Sequence, residues 1–366
     1  MLETWKEIVI EAPGFYIGWG GLLIGALFGF VVQRTNFCTM GSISDIMNFG
    51  NYDRFRAWLL AAAVAVIGLA VLQNAGAMNA ADSMYLSPNF GWLGNIVGGL
   101  IFGIGMVYAG GCMSRNLVRT GSGDLRSLVV ILVAGISGYM TIGGLLGTTR
   151  VAIFGAFTPD LSQTSAEMET QGLDEFLSVL TGMEASTANL VTVVLISGAI
   201  LIYCFMNAQF RKSMPNIIAG VGIGLCVIAA WLLTGLAQDE FADVPVALTS
   251  LSYVRPAGDT LDFMMRSTAY QMVPFAVSST LGALLGAFVG AMSQKRFHFA
   301  TFNDAGDTIR NLAGAVFMGV GGVLALGCTV GQGITGFSTL AIGSVITLVF
   351  IIIGGVVGMK AMEAMA

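Results

Sequence analysis

Charge is what this sequence has least of. Only 10% of its 366 residues are charged, whereas soluble domains carry roughly 25% charged residues. So few charges cannot cover a water-exposed surface, and 55% of the residues are hydrophobic. Together with a mean hydropathy of +0.82, this composition indicates a polytopic membrane protein.

Histidine, cysteine and basic residues are also scarce, and each scarcity argues against a kind of site. A single histidine and scattered cysteines form no metal-ligand cluster, so we expect no metal and no cofactor. The five cysteines are odd in number and lie outside polar loops, which argues against a disulfide framework. The net charge of −5, without a basic patch, argues against nucleic acid as a partner.

Long apolar runs dominate the rest of the chain. A transmembrane helix needs about 20 mostly apolar residues. The candidate runs are residues 14–32, 57–78, 91–110, 125–147, 189–206, 215–237, 273–292, 311–327 and 339–359. No run alternates strictly as a barrel strand would, and a helix satisfies its own backbone groups within the bilayer. The sequence therefore predicts an all-α polytopic membrane protein with about nine transmembrane helices.

Basic residues are distributed unevenly between the connections of these nine runs. Twelve of the sixteen Lys and Arg residues fall on one side and four on the other. Because basic residues favour the cytoplasmic side, we expect the N-terminus outside and the C-terminus in the cytoplasm.

Two glycine-rich runs end in the same way, on Gly111-Cys112 and on Gly327-Cys328, and a third ends on Phe37-Cys38. The pieces after Cys38 and Cys112 are too short to cross a bilayer, which predicts short re-entrant helices. The first N–H groups of such a helix lack partners, and with the helix dipole they favour an anion. A thiol adds a weak S–H donor. These motifs predict a neutral, weakly donating path for a small anion.

Two segments of the chain are repeated. Residues 25–34 match residues 286–295 at an offset of 261, and residues 103–112 match residues 319–328 at an offset of 216. Duplicated halves with glycine-interrupted segments indicate a transporter site near the midplane. We therefore divide one transmembrane domain, 1–366, into two inverted halves and a connecting region with two external loops and two spans. The boundaries are about 14–148 for half one, 149–272 for the connecting region and 273–359 for half two.

The expected site residues fall into two groups. Those expected along the substrate path are Cys38, Cys112, Cys328, Gly111, Gly327, Gly331 and Gly333. Those expected to give electrostatic support are Gln33, Arg34, Arg115, Gln294 and Lys295. Residues 331–336 formally match G-x-G-x-x-G, but membrane spans flank them, so we interpret them as a tight turn with free N–H groups. Cys204 and Cys226 lie mid-helix without a motif and are expected to pack as small hydrophobes.

At these motifs the chain resembles the YeeE/YedE family of sulfur-transport membrane proteins, which includes bacterial thiosulfate transporters. The matching segments are Gln33-Arg34-x-x-Phe37-Cys38-x-x-Gly41, Ala109-Gly-Gly-Cys112-x-Ser114 and Leu326-Gly-Cys328-Thr329-x-Gly331-x-Gly333. The resemblance implies a bacterial inner-membrane protein with a central hourglass-like path. It further implies that Cys38, Cys112 and Cys328 pass thiosulfate by S–H hydrogen bonds, with a cytoplasmic sulfurtransferase as a partner. Arg115 departs from the glycine that family members often carry there.

The expected function is uptake of thiosulfate or a related small sulfur anion through the lipid bilayer, without enzymatic activity. One alternative is a membrane thiol-redox or sulfur-carrier protein that uses Cys112 and Cys328 as an exchange pair, although the sequence has no C-x-x-C motif. A second is a permease for selenium or another sulfur species. A third is a non-transporting membrane subunit of a sulfur- or selenium-processing complex.

Overall fold

The fold is described from a computed structural model. The described residues are 2–163, 168–239, 242 and 244–365. Residues 164–167, 240, 241 and 243 belong to the two predicted external loops and lie outside the described residues.

Within these ranges the regular secondary structure is helical, apart from isolated β-bridges between loops. The helices are α1 Leu2–Glu11, α2 Pro13–Thr35, α3 Thr39–Phe49, α4 Asp53–Asn74, α5 Trp92–Tyr108, α6 Met113–Gly121, α7 Leu125–Ile142, α8 Gly147–Phe154, α9 Leu173–Thr181, α10 Ala185–Met206, α11 Ala208–Lys212, α12 Met214–Leu236, α13 Val254–Arg266, α14 Phe275–Ser293, α15 Ala305–Leu324 and α16 Ile342–Met365. A π-helical segment, Gly331–Gly336, lies between α15 and α16. The predicted short pieces after Cys38 and Cys112 are confirmed as α3 and α6.

In the described part of the chain, eight helical stretches are long and apolar enough to cross a membrane. They are Pro13–Phe49, Asp53–Asn74, Trp92–Gly121, Leu125–Ile142, Ala185–Met206, Met214–Leu236, Phe275–Ser293 and Ile342–Ala364. The remaining predicted run, 311–327, falls mostly in α15, whose first two turns carry Asp307 and Arg310. At ~1.5 Å per residue, the 20 residues of α15 are long enough to span the hydrocarbon core. The prediction of an all-α polytopic membrane protein is confirmed.

The outer surface of the bundle is apolar and its interior holds polar side chains. Leu23, Leu195 and Val289 are more than half exposed, whereas Gln332 and Thr335 are buried. This distribution suits a protein surrounded by lipid, because apolar side chains face the hydrocarbon without cost and polar side chains find partners inside.

Close approaches between helices give their relative directions. Gly25 faces Ser279 and Gly29 faces Ala283, so α2 and α14 run parallel. By contrast, α2 runs antiparallel to α12, because a Cβ at Gly20 would meet Leu233 and one at Gly222 would meet Val31.

Helices α5 and α15 also run in opposite directions. A Cβ at Gly98 would meet Gly321, and one at Gly105 would meet Gly314, so α5 and α15 run antiparallel. This direction is the one expected if α14, α15 and α16 cross the membrane in succession along the chain.

One arrangement occurs four times along the chain: a long helix ends, the backbone reverses, a short helix follows, and another long helix begins. The four units are α2–α3–α4, α5–α6–α7, α12–α13–α14 and α15–π segment–α16. Helix α12 runs opposite to α2, and α15 runs opposite to α5. The last two backbone breaks therefore enter the bundle from the end opposite to the first two. The breaks therefore converge on the middle of the protein, where the site lies.

Candidate functional site

Each of the three predicted path cysteines follows a chain reversal of the same kind. The residue two positions before each cysteine has a left-handed conformation: Asn36 with φ 53°, Gly110 with φ 68° and Leu326 with φ 58°. A left-handed residue after the last helical turn is a common helix stop. In each case the cysteine then stands at the start of the next helical piece.

At the ends of α5 and α15 the reversal is identical in its hydrogen bonds. The N–H of Gly111 donates to the carbonyl of Met106 at 2.8 Å, and the N–H of Gly327 donates to the carbonyl of Gly322 at 2.7 Å. This pairing defines a Schellman motif. The repeat of residues 103–112 in 319–328 is thus a repeat of backbone geometry as well as of sequence.

The sulfurs of Cys38 and Cys328 each cap the helical piece that follows, through the N–H group three residues on. The N–H of Gly41 donates to Sγ of Cys38 at 3.4 Å, and that of Gly331 donates to Sγ of Cys328 at 3.3 Å. The backbone N–H of Arg115 faces the Cys112 sulfur, but the Cys112 side chain makes no capping hydrogen bond. The sulfurs of Cys38 and Cys328 therefore occupy the place of an N-cap oxygen. Each of these two thiols accepts a hydrogen bond in its cap, which does not use the thiol proton.

The three breaks meet in the interior around Cys112. The side chains of Cys38 and Thr329 lie beside the Cys112 sulfur, which is 3.4 Å from Oγ of Ser114. Cys328 is the residue before Thr329, so a break entering from one end touches a break entering from the other. All three thiols are free and buried. The Thr329 hydroxyl makes no close hydrogen bond to the described residues.

The remaining break, the one before α13, carries Tyr253 in place of a cysteine. Tyr253 stands at the N-cap position of α13, and its backbone N–H faces the Cys328 sulfur. Its side chain is 1% exposed, and its hydroxyl has no hydrogen-bond partner among the described residues. The sequence interpretation missed this residue, because the segment before α13 has no glycine–cysteine pair. The signal that could have found it is the fourfold helix–break–helix pattern.

The glycines of the motifs allow close packing at the breaks. A Cβ at Gly331 would lie 2.4 Å from Oγ of Ser252, and one at Gly333 would lie 2.4 Å from the Trp58 ring. At Gly327 a Cβ would lie 3.1 Å from the Gln332 side chain, and at Gly111 it would lie 3.2 Å from Arg115. The expectation of a tight turn with free N–H groups at 331–336 is wrong. The segment is a buried π-helix whose first N–H is already bound to a sulfur.

The two remaining cysteines lie in long helices. Sγ of Cys204 donates to the carbonyl of Arg56 at 3.3 Å, which joins α10 to α4. Cys226 is buried in α12, close to Tyr253. Neither cysteine caps a helix.

The expected electrostatic residues separate into different environments. Gln33 is buried and packs against Gly290 of α14, while Gln294 ends α14 with an unpaired buried Oε1. Arg34 is exposed and lies over the Phe30 ring, and Lys295 is exposed. Of these five residues, Arg115 is the one beside the thiols, where its charge faces Cys38 and Cys112.

Two cavities open at opposite ends of the bundle. One, named here the Arg115 cavity, measures about 570 Å³. It is lined by Thr35, Asn36, Asp45, Phe49, Asn51, Asp53, Arg54, Arg115 and Asn216. The other, about 400 Å³, lies at the end of the bundle where α15 stops, and Arg150 and Leu326 contribute to its wall. Arg115, three residues after Cys112, lines the first cavity, and Leu326, two residues before Cys328, lines the second.

A network of charged residues fastens the turn between α6 and α7. Asp124 contacts Nη2 of Arg119 at 2.6 Å and Nε of Arg126 at 3.2 Å. Burial alone would raise the pKa of the Asp124 carboxyl, but the hydrogen bonds from Arg126 and the charge of Arg119 lower this pKa below its usual value. The same turn pairs with a distant loop, because the N–H of Leu125 donates to the carbonyl of Ala300 at 2.9 Å. The C-terminal end of α6, the helix that follows Cys112, is therefore fixed to α7 and to the loop before α15.

Broken helices that meet inside an apolar-surfaced bundle define a multi-pass membrane transport protein. The chain belongs to the sulphur transport family, whose model matches residues 34–357. The expected likeness to the YeeE/YedE family is thereby confirmed. The family description and the names of the relatives below are those of transport proteins and not of enzymes.

Three relatives illustrate the range of similarity. The thiosulfate transporter TsuA of Escherichia coli (strain K12) is 28% identical over 91% of each chain. A protein of the same name from Spirochaeta thermophila is 26% identical over 92% of this chain and 96% of its own. The probable transporter YedE of Escherichia coli (strain K12) is 25% identical over 53% of this chain and 43% of its own.

Proposed function

We propose that this protein takes up thiosulfate across the inner membrane of a bacterium through a path formed by the thiols of Cys38, Cys112 and Cys328. The observation that carries the proposal is that Cys38, Cys112 and Cys328 begin three helical pieces that converge from opposite ends. The two relatives that match along nearly their whole length are named thiosulfate transporters.

The capping geometry suits hydrogen bonding to an anion. A sulfur that accepts a backbone N–H carries more positive charge on its own proton, since hydrogen bonds in a chain polarise one another. The S–H groups of Cys38 and Cys328 are polarised in this way, and with that of Cys112 they offer three weak donors without a fixed charge. Sites that bind an ion weakly and in succession permit conduction, whereas a single strong site would hold the ion. The thiols must stay protonated for this role, because a thiolate would repel the anion.

The remaining glycines and hydroxyls extend the same path. Gly111, Gly327, Gly331 and Gly333 allow close packing within and around the breaks, and in this proposal they line the path beside the thiols. The unpaired hydroxyl of Thr329 supplies a further donor between Cys112 and Cys328. In this proposal the anion passes Cys328 first, then Thr329 and Cys112, and leaves past Cys38.

The direction of transport rests on the distribution of basic residues. We infer that the N-terminus is outside and the C-terminus is in the cytoplasm, with the Arg115 cavity at the cytoplasmic end. A cytoplasmic sulfurtransferase would then receive the thiosulfate and keep its free concentration low.

Uptake of radiolabelled thiosulfate into proteoliposomes tests the proposal. Replacing Cys112 or Cys328 by Ala removes a donor, and we expect uptake to fall at least about tenfold, since a hydrogen bond to a charged group contributes roughly 1.5–3 kcal/mol. Replacement by Ser keeps a donor and should retain a measurable part of the uptake. Cys204→Ala, a buried thiol outside the path, is the matched control and should transport normally.

Normal uptake in both Ala variants would contradict the proposal. Competition with sulfite and selenium oxyanions in the same assay defines the substrate, and inhibition by a selenium species alone would favour the selenium alternative.

A thiol-redox function is the second candidate, because Cys38 and Cys112 stand side by side. The Ser variants distinguish the two functions, since a serine donates a hydrogen bond but forms no disulfide. Uptake that is lost equally in the Ser and Ala variants, with a Cys38–Cys112 disulfide found by mass spectrometry during turnover, would favour redox chemistry.

A further inference from the structure

Arg115 is placed between the Arg115 cavity and the buried thiols. It lies in the first turn of α6, directly after the Cys112–Ser114 contact. Its side chain lines the cavity, and its charge is close enough to interact with Cys38 and Cys112. Its Nη2 donates to Oδ1 of Asn36 at 3.2 Å. Its Nη1 is buried and has no hydrogen-bond partner among the described residues.

The other arginines near this cavity already have carboxylate partners. Nε of Arg54 lies 2.7 Å from Asp45, and Nη1 of Arg56 lies 3.3 Å from Asp53. In the described part of the chain, Arg115 forms no such ion pair. The charges of Asp45 and Asp53 are thus balanced within the wall, and the positive charge of Arg115 remains in excess.

A buried guanidinium donor without a partner is costly, so its retention calls for an acceptor. Asn51 and Asn216 line the same space with neutral amide groups that can donate hydrogen bonds. A volume of about 570 Å³ accommodates a small tetrahedral anion together with water. A planar guanidinium matches two oxygens of such an anion better than a point charge does.

We propose that the Arg115 cavity is a binding site for a divalent sulfur oxyanion, held by the guanidinium of Arg115, which has no carboxylate partner, at the end of the thiol path. This inference rests on the proposed function, because it takes thiosulfate as the anion that leaves the thiols. The thiol path selects by weak donors without a fixed charge, whereas this site attracts by charge. Sulfate, with the same charge and shape, competes for the site.

Equilibrium binding of radiolabelled thiosulfate to the purified full chain in detergent tests this site. Arg115→Gln removes the charge, and we expect the dissociation constant to rise at least about tenfold. Arg115→Lys keeps the charge without the planar fork and should bind with intermediate affinity. The matched control is Arg211→Gln, which removes an exposed charge at the same end of the bundle and outside the cavity wall. It should bind as the unaltered protein does.

A further readout separates this role from a purely structural one. Binding that depends on Arg115 should weaken with ionic strength, and sulfate should displace thiosulfate from the unaltered protein but hardly from Arg115→Gln. The Arg115→Lys variant and a thermal unfolding measurement guard against loss of binding through misfolding. Unchanged affinity in a folded Arg115→Gln would overturn the inference.

Uptake in proteoliposomes keeps the two proposals distinguishable. If the unaltered protein takes up thiosulfate and Arg115→Gln binds it normally, the cavity inference fails and the transport proposal stands. If thiosulfate binds in an Arg115-dependent way but is not taken up, the transport proposal fails and the site remains.

Discussion

The residue two positions before each path cysteine carries the reversal of the chain, and one of these three residues is unusual. Asparagine and glycine adopt the left-handed conformation readily, but leucine does so at a cost. Leu326 nevertheless adopts φ 58° and is 39% exposed. The identical hydrogen bonds at Gly110 and Leu326 show that the turn itself demands this conformation. Leu326 is therefore a point of backbone strain beside the Cys328 thiol.

Replacing Leu326 by Gly should relieve this strain. We expect the Gly variant to be more stable than a Leu326→Ala variant by about 1 kcal/mol, because Ala loses the same side-chain contacts but keeps the unfavourable φ. Thermal unfolding of the two purified proteins in detergent measures the difference. A Gly variant that is less stable than the Ala variant would show that the turn does not strain residue 326.

Residue types alone indicated some members of the site and not others. Cys38, Cys112 and Cys328 could be selected because a glycine-rich run precedes each of them. Tyr253 could not, because its importance comes from its N-cap position and its nearness to Cys328. The lack of a carboxylate partner for Arg115 in the described part of the chain could not be predicted either. The side chain that accepts its hydrogen bond, Asn36, lies 79 positions away.

The contact between α2 and α14 explains one of the two sequence repeats in a different way. The matching segments 25–34 and 286–295 belong to two parallel helices that pack directly against each other. Small residues let two membrane helices approach to backbone contact. We propose that the similarity between these segments reflects this shared packing requirement. The inverted-repeat counterpart of α2 would then be α12, which runs in the opposite direction.

Gly286 is the closest point of this contact. A Cβ there would lie 1.8 Å from the carbonyl oxygen of Ala26, so Gly286→Ala must separate the two helices. We expect a loss of about 1–3 kcal/mol in the free energy of unfolding, as for other overpacked cores. Gly198→Ala is the control, because a Cβ at that position of α10 has no atom within 4 Å. It should leave stability unchanged or raise it slightly.

Thermal unfolding in detergent and the yield of folded protein compare these two variants. Equal stability of the two would contradict the close packing of α2 on α14.

Four broken-helix units, which enter from two opposite ends, make up most of the molecule. The predicted boundary of half two at residue 273 stays a prediction. We propose a different division, in which the halves are residues 13–142 and 214–365. This division gives each half two complete units, and it leaves α8, α9, α10 and α11 as the connection between them.

The orientation of the molecule can be tested with reporter fusions. A fluorescent protein fused after Lys360 should be fluorescent, because we expect the C-terminal end in the cytoplasm, where this reporter folds. Alkaline phosphatase inserted near Asn89, in the loop between α4 and α5, should be active because that loop is expected outside. The opposite pattern in both reporters would reverse the proposed direction of uptake.

Composition and apolar runs were enough to predict a membrane protein of long helices. A chain with 10% charged residues and such runs has no stable arrangement in water. The glycine-rich run before each cysteine was enough to select the three thiols, because a helix stop is a local property of the chain.

Only the tertiary structure decided which of these features meet. The contact of Thr329 with Cys112 joins residues more than 200 positions apart, and no local pattern encodes such a distance. The same holds for the packing of α2 on α14 and for the buried Arg115 donor left unpaired. The breaks meet because they enter from opposite ends, and that arrangement brings Thr329, the neighbour of Cys328, against the Cys112 thiol.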